Sequence, residues 1–334
     1  MFTPTHRSTR RLFLLLAACC LGATVGSAAD GGSTSTVGQA TQDISQNVLD
    51  DVTPLNTLET QSVYVGSAGF KQKEFRTPSP NAPGGRQSNF GDIDELENTF
   101  EYGHRIHLFD KVYLKLGVNY ERFDFGQTNA PLPSTLSALR GEINFEYIIK
   151  GNVGAFINFN PGVYYANSKV SLGSVDMNTA MGTLFPIPFL KNVYGLIGVE
   201  FSILAHNPVQ PFGGLVWLIN DHLRLQAVPE EPRLIYTVNK QLDFFVGGQV
   251  SGTAFKRNSD DDARPQFRRF SKGVIEFSEQ RVGGGLTYTP IEAVDIDISG
   301  GWDIQRDFNY YRGDAKRFVT DGAPYVKLEV SANF

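Results

Sequence analysis

From residue 60 onward apolar and polar side chains alternate with a period of two, the pattern of strands with one greasy face. Val112, Leu114, Leu116, Val118 and Tyr120 interleave with Tyr113, Lys115, Gly117, Asn119 and Glu121. Leu139–Ile149 and Val294–Ile304 repeat the pattern, and both faces of the alternation persist for five or more residues. The segments predict fourteen strands, at about 60–70, 96–108, 111–125, 136–149, 153–166, 175–190, 193–202, 211–219, 222–228, 232–238, 241–255, 272–288, 293–307 and 323–334. Those at 222–228 and 232–238 are shorter than the ~9–11 residues a tilted membrane span needs, so twelve spanning strands is the alternative count.

Alternation alone also fits a soluble sandwich. The connections separate the two. Tight ones at 109–110, 150–152, 191–192, 220–221, 239–240 and 289–292 take turns with longer ones at 71–95, 126–135, 167–174, 203–210, 256–271 and 308–322. A barrel in a membrane sorts its connections this way, with turns at one rim and loops at the other. Only Pro229–Glu231 departs, a turn-length connection on the loop side. The expected fold is therefore all-β, a transmembrane antiparallel up-and-down β-barrel, with short periplasmic turns and longer outer loops.

Both ends of the chain agree. Arg7, Arg10 and Arg11 precede an apolar stretch from Leu12, and Ser27-Ala28-Ala29 offers small residues for signal cleavage after Ala29. Leu16-Ala17-Ala18-Cys19 also fits a lipobox, in which Cys19 would be acylated. Both readings export the chain, and cleavage after Ala29 removes Cys19 and Cys20, its only cysteines. Residues 30–59 lack periodicity and read as a flexible periplasmic arm ahead of a barrel at 60–334. The chain ends on Phe334, with Ala332, Val330, Leu328 and Val326 at alternate positions and Tyr325 beside them. That resembles the sorting signal read by the barrel-assembly machinery, an amphipathic edge strand that can be added to another sheet.

Some residues disturb the pattern. Pro161, Pro186 and Pro188 fall in strands and predict bulges. Strand 272–288 carries Glu276, Ser278 and Gln280 on its lipid-facing parity, so it is expected to enter the membrane only near Val282. Aromatic girdles are expected from Phe123, Phe125, Tyr164, Tyr165, Tyr310 and Tyr311 at the loop rim, and from Tyr147, Trp217, Tyr236, Tyr288 and Phe334 at the turn rim.

The inward parity carries the candidate chemistry: Glu101, Arg105, Lys115, Glu121, Arg140, Glu142, Glu146, Arg224, Arg233, Asp243, Arg281, Asp295, Asp297, Asp303, Lys327 and Glu329, with Glu200 and Glu279. Acids exceed bases, in line with a formal charge of −5 for the whole chain. Two readings follow: a water-filled lumen with a cation-favouring field, or cross-strand ion pairs that fill a closed interior. A barrel of this strand number encloses more than side chains easily fill, which favours a diffusion channel for small solutes. A plugged barrel displaying its loops is the alternative.

The grounds for an enzyme are thin. Of the histidines past the signal, only His206 stands on an outer loop, with Asn207 beside it and no nucleophile in sequence reach. No catalytic residue, metal site or cofactor is assigned. Asp260-Asp261-Asp262 lacks the glycine and closing glutamate of a hand-type calcium loop, and the negative charge argues against nucleic acid. The expected surroundings are outer-membrane lipid and lipopolysaccharide, whose phosphates suit the basic residues of loop 256–271.

Four stretches carry a family resemblance: Val118–Phe125 (VNYERFDF), Gly213–Leu225 ending in INDHLRL, Pro229–Leu234 (PEEPRL) and Asp321–Lys327 (DGAPYVK). Together they resemble the outer-membrane barrels of the family called domain of unknown function 6268, over roughly residues 60–334. The resemblance implies the architecture and brings no established substrate.

Overall fold

A computed structural model describes Ser45 and residues 53–73, 89–129, 131–149, 153–167, 170–257, 273–312 and 316–334. The signal with Ala29 and Cys19, most of the arm, and Asp260-Asp261-Asp262 with the basic cluster after them lie outside the described residues.

The strands are β1 (Asn56–Lys73), β2 (Asn89–Phe109), β3 (Val112–Phe125), β4 (Thr135–Ile149), β5 (Val153–Ala166), β6 (Val175–Pro186), β7 (Val193–Phe201), β8 (Val209–Asn220), β9 (Leu223–Ala227), β10 (Arg233–Asn239), β11 (Leu242–Lys256), β12 (Val274–Ile291), β13 (Val294–Tyr311), β14 (Lys316–Thr320) and β15 (Ala323–Asn333). Each pairs antiparallel with its sequence neighbours, except that β14 and β15 do not pair with each other. β14 and β15 both lie between β13 and β1, so they are one stave interrupted at Asp321-Gly322. The result is a closed antiparallel barrel of fourteen staves. Backbone bonds between Asn56 and Phe334, at 2.7 and 3.0 Å, finish the seam and leave no edge.

Tight turns are concentrated at the end that holds Phe334. Asp110 and Asn192 supply positive φ there (47° and 58°), a conformation that Asp and Asn tolerate better than most residues. The barrel's outer surface exposes Leu58, Phe100, Ile106, Leu116, Ile143, Phe145, Phe244, Val246, Leu328 and their neighbours. Such a continuous apolar surface on a closed sheet suits hydrocarbon rather than water. No helix among the described residues is long and apolar enough to cross a membrane, which says nothing of strands.

Several boundaries differ from expectation. β1 begins at Asn56, so residues 56–59 belong to the barrel rather than to the arm. β6 stops at Pro186, whose ring cannot donate to the ladder, and Pro188 falls in the connection. Pro161 leaves the β4–β5 register unshifted. Away from the turns, register shifts lie instead in β1, between Val65 and Ala68 and between Gly69 and Lys71, and opposite Gln280/Arg281 in the β12–β13 pair.

The loop end of the barrel departs most. Above Val250, whose N–H still donates to the Glu230 carbonyl at 2.8 Å, β11 leaves the wall and bridges directly to β5, Lys256 pairing with Tyr165. Staves β6–β10 thus drop out, and a smaller ring of β1–β5 and β11–β14 closes over the mouth. Glycines sit in register where the wall turns in: Gly247 opposite Gly283 opposite Gly301, with Gly284 opposite Gly300. A Cβ on Gly301 would run into the Val282 carbonyl and the Gly283 backbone, so this crease needs bare backbone. Beyond it β12 is buried on both faces, Val274 to Phe277 alike. Glu276 therefore neither meets lipid nor projects into water: it accepts from the His206 N–H (3.4 Å) and from Asn309 (3.2 Å).

Candidate functional site

The interior has three levels. At the turn end is an open vestibule of about 870 Å³, lined by Glu59, Glu101, Arg105, Arg224, Arg233, Asp243, Asp295, Asp297 and Glu329 with Ile235, Phe245 and Phe334. Its position follows from strand pairing. Asp243, Thr287, Asp297 and Glu329 are successive cross-strand neighbours, and so are Asp295, Ser331, Glu59 and Glu101. Two rows of carboxylates therefore share one wall. Thr53 and Pro54 also line this chamber, and the Pro54 carbonyl accepts from Arg105 (2.7 Å).

Around and above the vestibule the charges pair. Arg105 grips Glu146 through two nitrogens at 2.7 and 3.2 Å, the bidentate geometry that suits guanidinium. Lys115 lies between Glu101 (3.2 Å) and Glu142 (3.3 Å), while Arg140 reaches Glu121 (3.1 Å) and Asn119 (2.6 Å). Arg233 holds Glu231 (2.6 Å) and Asp297 (3.1 Å), and Lys327 holds Glu231 and Glu329, both at 2.8 Å. Next comes a layer around Arg281, which contacts Glu279 (2.7 Å), Glu97 (2.9 Å) and Glu95 (3.5 Å). Arg306 meets Glu95 at 3.4 Å and Asp303 at 3.7 Å.

The third level, under the inturned wall, is apolar. Phe70, Phe123, Phe125, Phe255, Phe277, Phe308, Phe318, Tyr164 and Tyr310 form one buried cluster. Their rings meet mostly edge to face, as Phe123 does with Phe277 at 4.9 Å. Leu204, from the β7–β8 connection, joins it together with Ala254 and Val274 from the opposite face of the inturned strands. Asp176 fixes that connection by accepting from Ser202, Ile203 N–H and Leu204 N–H at 3.0, 3.0 and 3.2 Å.

The inward-parity charges of the sequence reading lie on the inner side. Asp243, Asp295 and Arg224 border the vestibule, Arg281 and Asp303 belong to the layer with Glu279 and Arg306, and Glu200 is buried. The expected loop-rim girdle is corrected: Phe123, Phe125, Tyr164 and Tyr310 are interior, and Tyr311 is buried under His206. At the turn rim Tyr147, Tyr236, Tyr288 and Phe334 are exposed. Tyr325 faces inward against Arg281, while Val326 and Leu328 face outward, and Val330 and Ala332 share their parity. His104, His107 and His222 bond to Asn56, Asp110 and Thr237 near the turn rim. His206 offers its backbone, not its ring, to Glu276.

Four charged residues escaped the sequence reading. Arg306 lies on the outward parity of β13, and the bulge below it turns it inward. A charge on a greasy face was the available signal. Glu95 falls in the loop 71–95 expected from sequence, and lies in β2. Glu97 already had inward parity. Glu231, expected in an outer turn, folds down onto Arg233 and Lys327 because β9 and β10 are short.

No protein-family model matches the chain, and no curated protein matches it. Among solved structures it is similar to an outer membrane channel from Pseudomonas putida F1, at 10% identity and a TM-score of 0.46, covering 85% of this chain and 97% of the other. The Pseudomonas putida toluene transporter TodX is similar at 11% identity and a TM-score of 0.43, over 92% and 97%. LpxR from Salmonella typhimurium is similar at 13% identity and a TM-score of 0.35, over 83% and 100%.

Proposed function

We propose that this chain is a small-solute channel of the bacterial outer membrane, shut in the present state by its own wall. The observation that carries the reading is the combination of an open charged vestibule at one end with an inturned β11–β13 segment, creased at glycine, at the other. In a barrel filled only for rigidity, the wall has no need to leave its ring. The closed, lipid-suited exterior and the expected export signal support the location, with turns in the periplasm and loops outside. The last strand supports delivery by the barrel-assembly machinery, and the basic loop 256–271 supports contact with lipopolysaccharide phosphates. The four stretches noted in the sequence support kinship with the domain of unknown function 6268 barrels.

The test uses Tyr165→Cys with Lys256→Cys. Bridged strands stand ~4.7–4.9 Å apart, within the Cα range a disulfide accepts. In planar bilayers the oxidised protein is expected to be silent and the reduced protein to open intermittently. The packed aromatic level favours a second reading, a plugged structural barrel. Silence in both redox states, with the barrel folded, would establish that reading and overturn the channel.

A further inference from the structure

The layer around Arg281 is out of charge balance. Glu95, Glu97, Glu279 and Asp303 face two cations, Arg281 and Arg306, and none of the six is more than 4% exposed. Two surplus negative charges in a buried layer are costly unless they take up protons or a positive charge joins them. Asp303 makes the deficit plain. It is 1% exposed, no side chain donates a hydrogen bond to either carboxylate oxygen, and it is the cross-strand neighbour of Arg281. Its nearest cation, Arg306 Nε, stands 3.7 Å away, beyond a hydrogen bond.

The spacing suits a hard ion. Carboxylate oxygens of Glu95, Glu97 and Glu279 all lie within 4.8 Å of one another. Two oxygens on opposite sides of a calcium ion, each ~2.3–2.6 Å from it, stand about that far apart. No histidine or cysteine is among these six residues, so the donors are oxygen only, which selects Ca²⁺ or Mg²⁺ over zinc or copper. One divalent ion would balance the layer.

We propose that this layer is a divalent-cation site formed by Glu95, Glu97 and Glu279 with the Asp303 carboxylate beside them, and that Arg281 occupies part of it when no ion is bound. The guanidinium already marks where positive charge is favoured, since it touches three of the carboxylates. It also has somewhere to go. Gln249 accepts from its Nη1 at 3.3 Å, and the Tyr325 ring lies 5.8 Å from its Cζ. Ion binding moves Arg281 from the carboxylates towards those two groups. The site stands apart from conduction: it requires the closed layer, not an open lumen.

The experiment titrates Ca²⁺ into the folded barrel in non-ionic detergent free of lipopolysaccharide, by calorimetry and by thermal unfolding. One ion per chain is expected, with a rise in the unfolding temperature. Asp303→Asn with Glu279→Gln should weaken binding at least tenfold. Arg281→Gln should strengthen it at least tenfold, because the competitor is gone, a change opposite in sign to general damage. Absence of saturable Ca²⁺ binding by the unaltered barrel overturns the proposal. So does binding that neither substitution alters. If Ca²⁺ binds as expected and the cysteine pair never conducts, the channel reading fails and the site stands.

Discussion

The turn-end and loop-end halves of the barrel are built from the same alternation but put it to opposite uses. Towards the turns each staved strand has one face on lipid and one on a polar interior, so Leu116 is exposed while Lys115 is buried against Glu101 and Glu142. Towards the loops β12 has protein on both faces, so Ile275 and Glu276 are equally buried. The lesson is that period two reports orientation only while one face has a uniform solvent. Where the wall turns in, parity still says which side a residue is on, but no longer what lies there.

This contrast can be broken at graded points. Arg281→Met removes the positive centre from three buried carboxylates and should cost about 3–5 kcal/mol, read from urea unfolding in detergent, with Ca²⁺ recovering much of the loss. Phe277→Ala should cost a similar or slightly smaller amount, about 3–5 kcal/mol, because its ring is fully buried among Phe123, Phe125 and Phe308. The two differ in that Ca²⁺ should not rescue the phenylalanine variant. Gly301→Val should cost about 1–3 kcal/mol through overpacking at the crease and lengthen channel openings, because a side chain there pushes the inturned segment off its seat. Asp243→Asn, in the open vestibule, should change stability by less than about 0.5 kcal/mol, and a larger loss would mean the chamber is not water-filled.

Much of the barrel was legible. Strand number, loop parity and the closing strand follow from local chemistry: alternation, turn residues and the apolar run before Phe334. The inward charges at the turn end were legible for the same reason. Arg306 was not, because one bulge at Ile304, opposite the Gln280–Arg281 step of β12, reverses the sense of every residue above it on β13, and no local pattern announces a bulge. The aromatic cluster was misplaced at the rim because Phe123 and Phe125 sit near a strand end, where girdles belong, although they share the inward parity of Glu121. The β11–β5 bridge joins Tyr165 to Lys256, far apart in the chain, and only the shortness of β9 and β10 hinted that the wall was incomplete there.

The most direct measurement is thiol labelling of the folded barrel in lipid, in a chain lacking Cys19 and Cys20, with one cysteine at a time replacing Thr287, Ala254 or Val282. Thr287 lines the vestibule, Ala254 is on the covered outward face of the inturned strand, and Val282 is exposed on the wall just below. The account predicts that Thr287→Cys reacts with a polar reagent, Val282→Cys with a lipid-soluble one, and Ala254→Cys with neither. Rapid labelling of Ala254→Cys by the lipid-soluble reagent would place β11 in an ordinary wall and contradict the closed mouth.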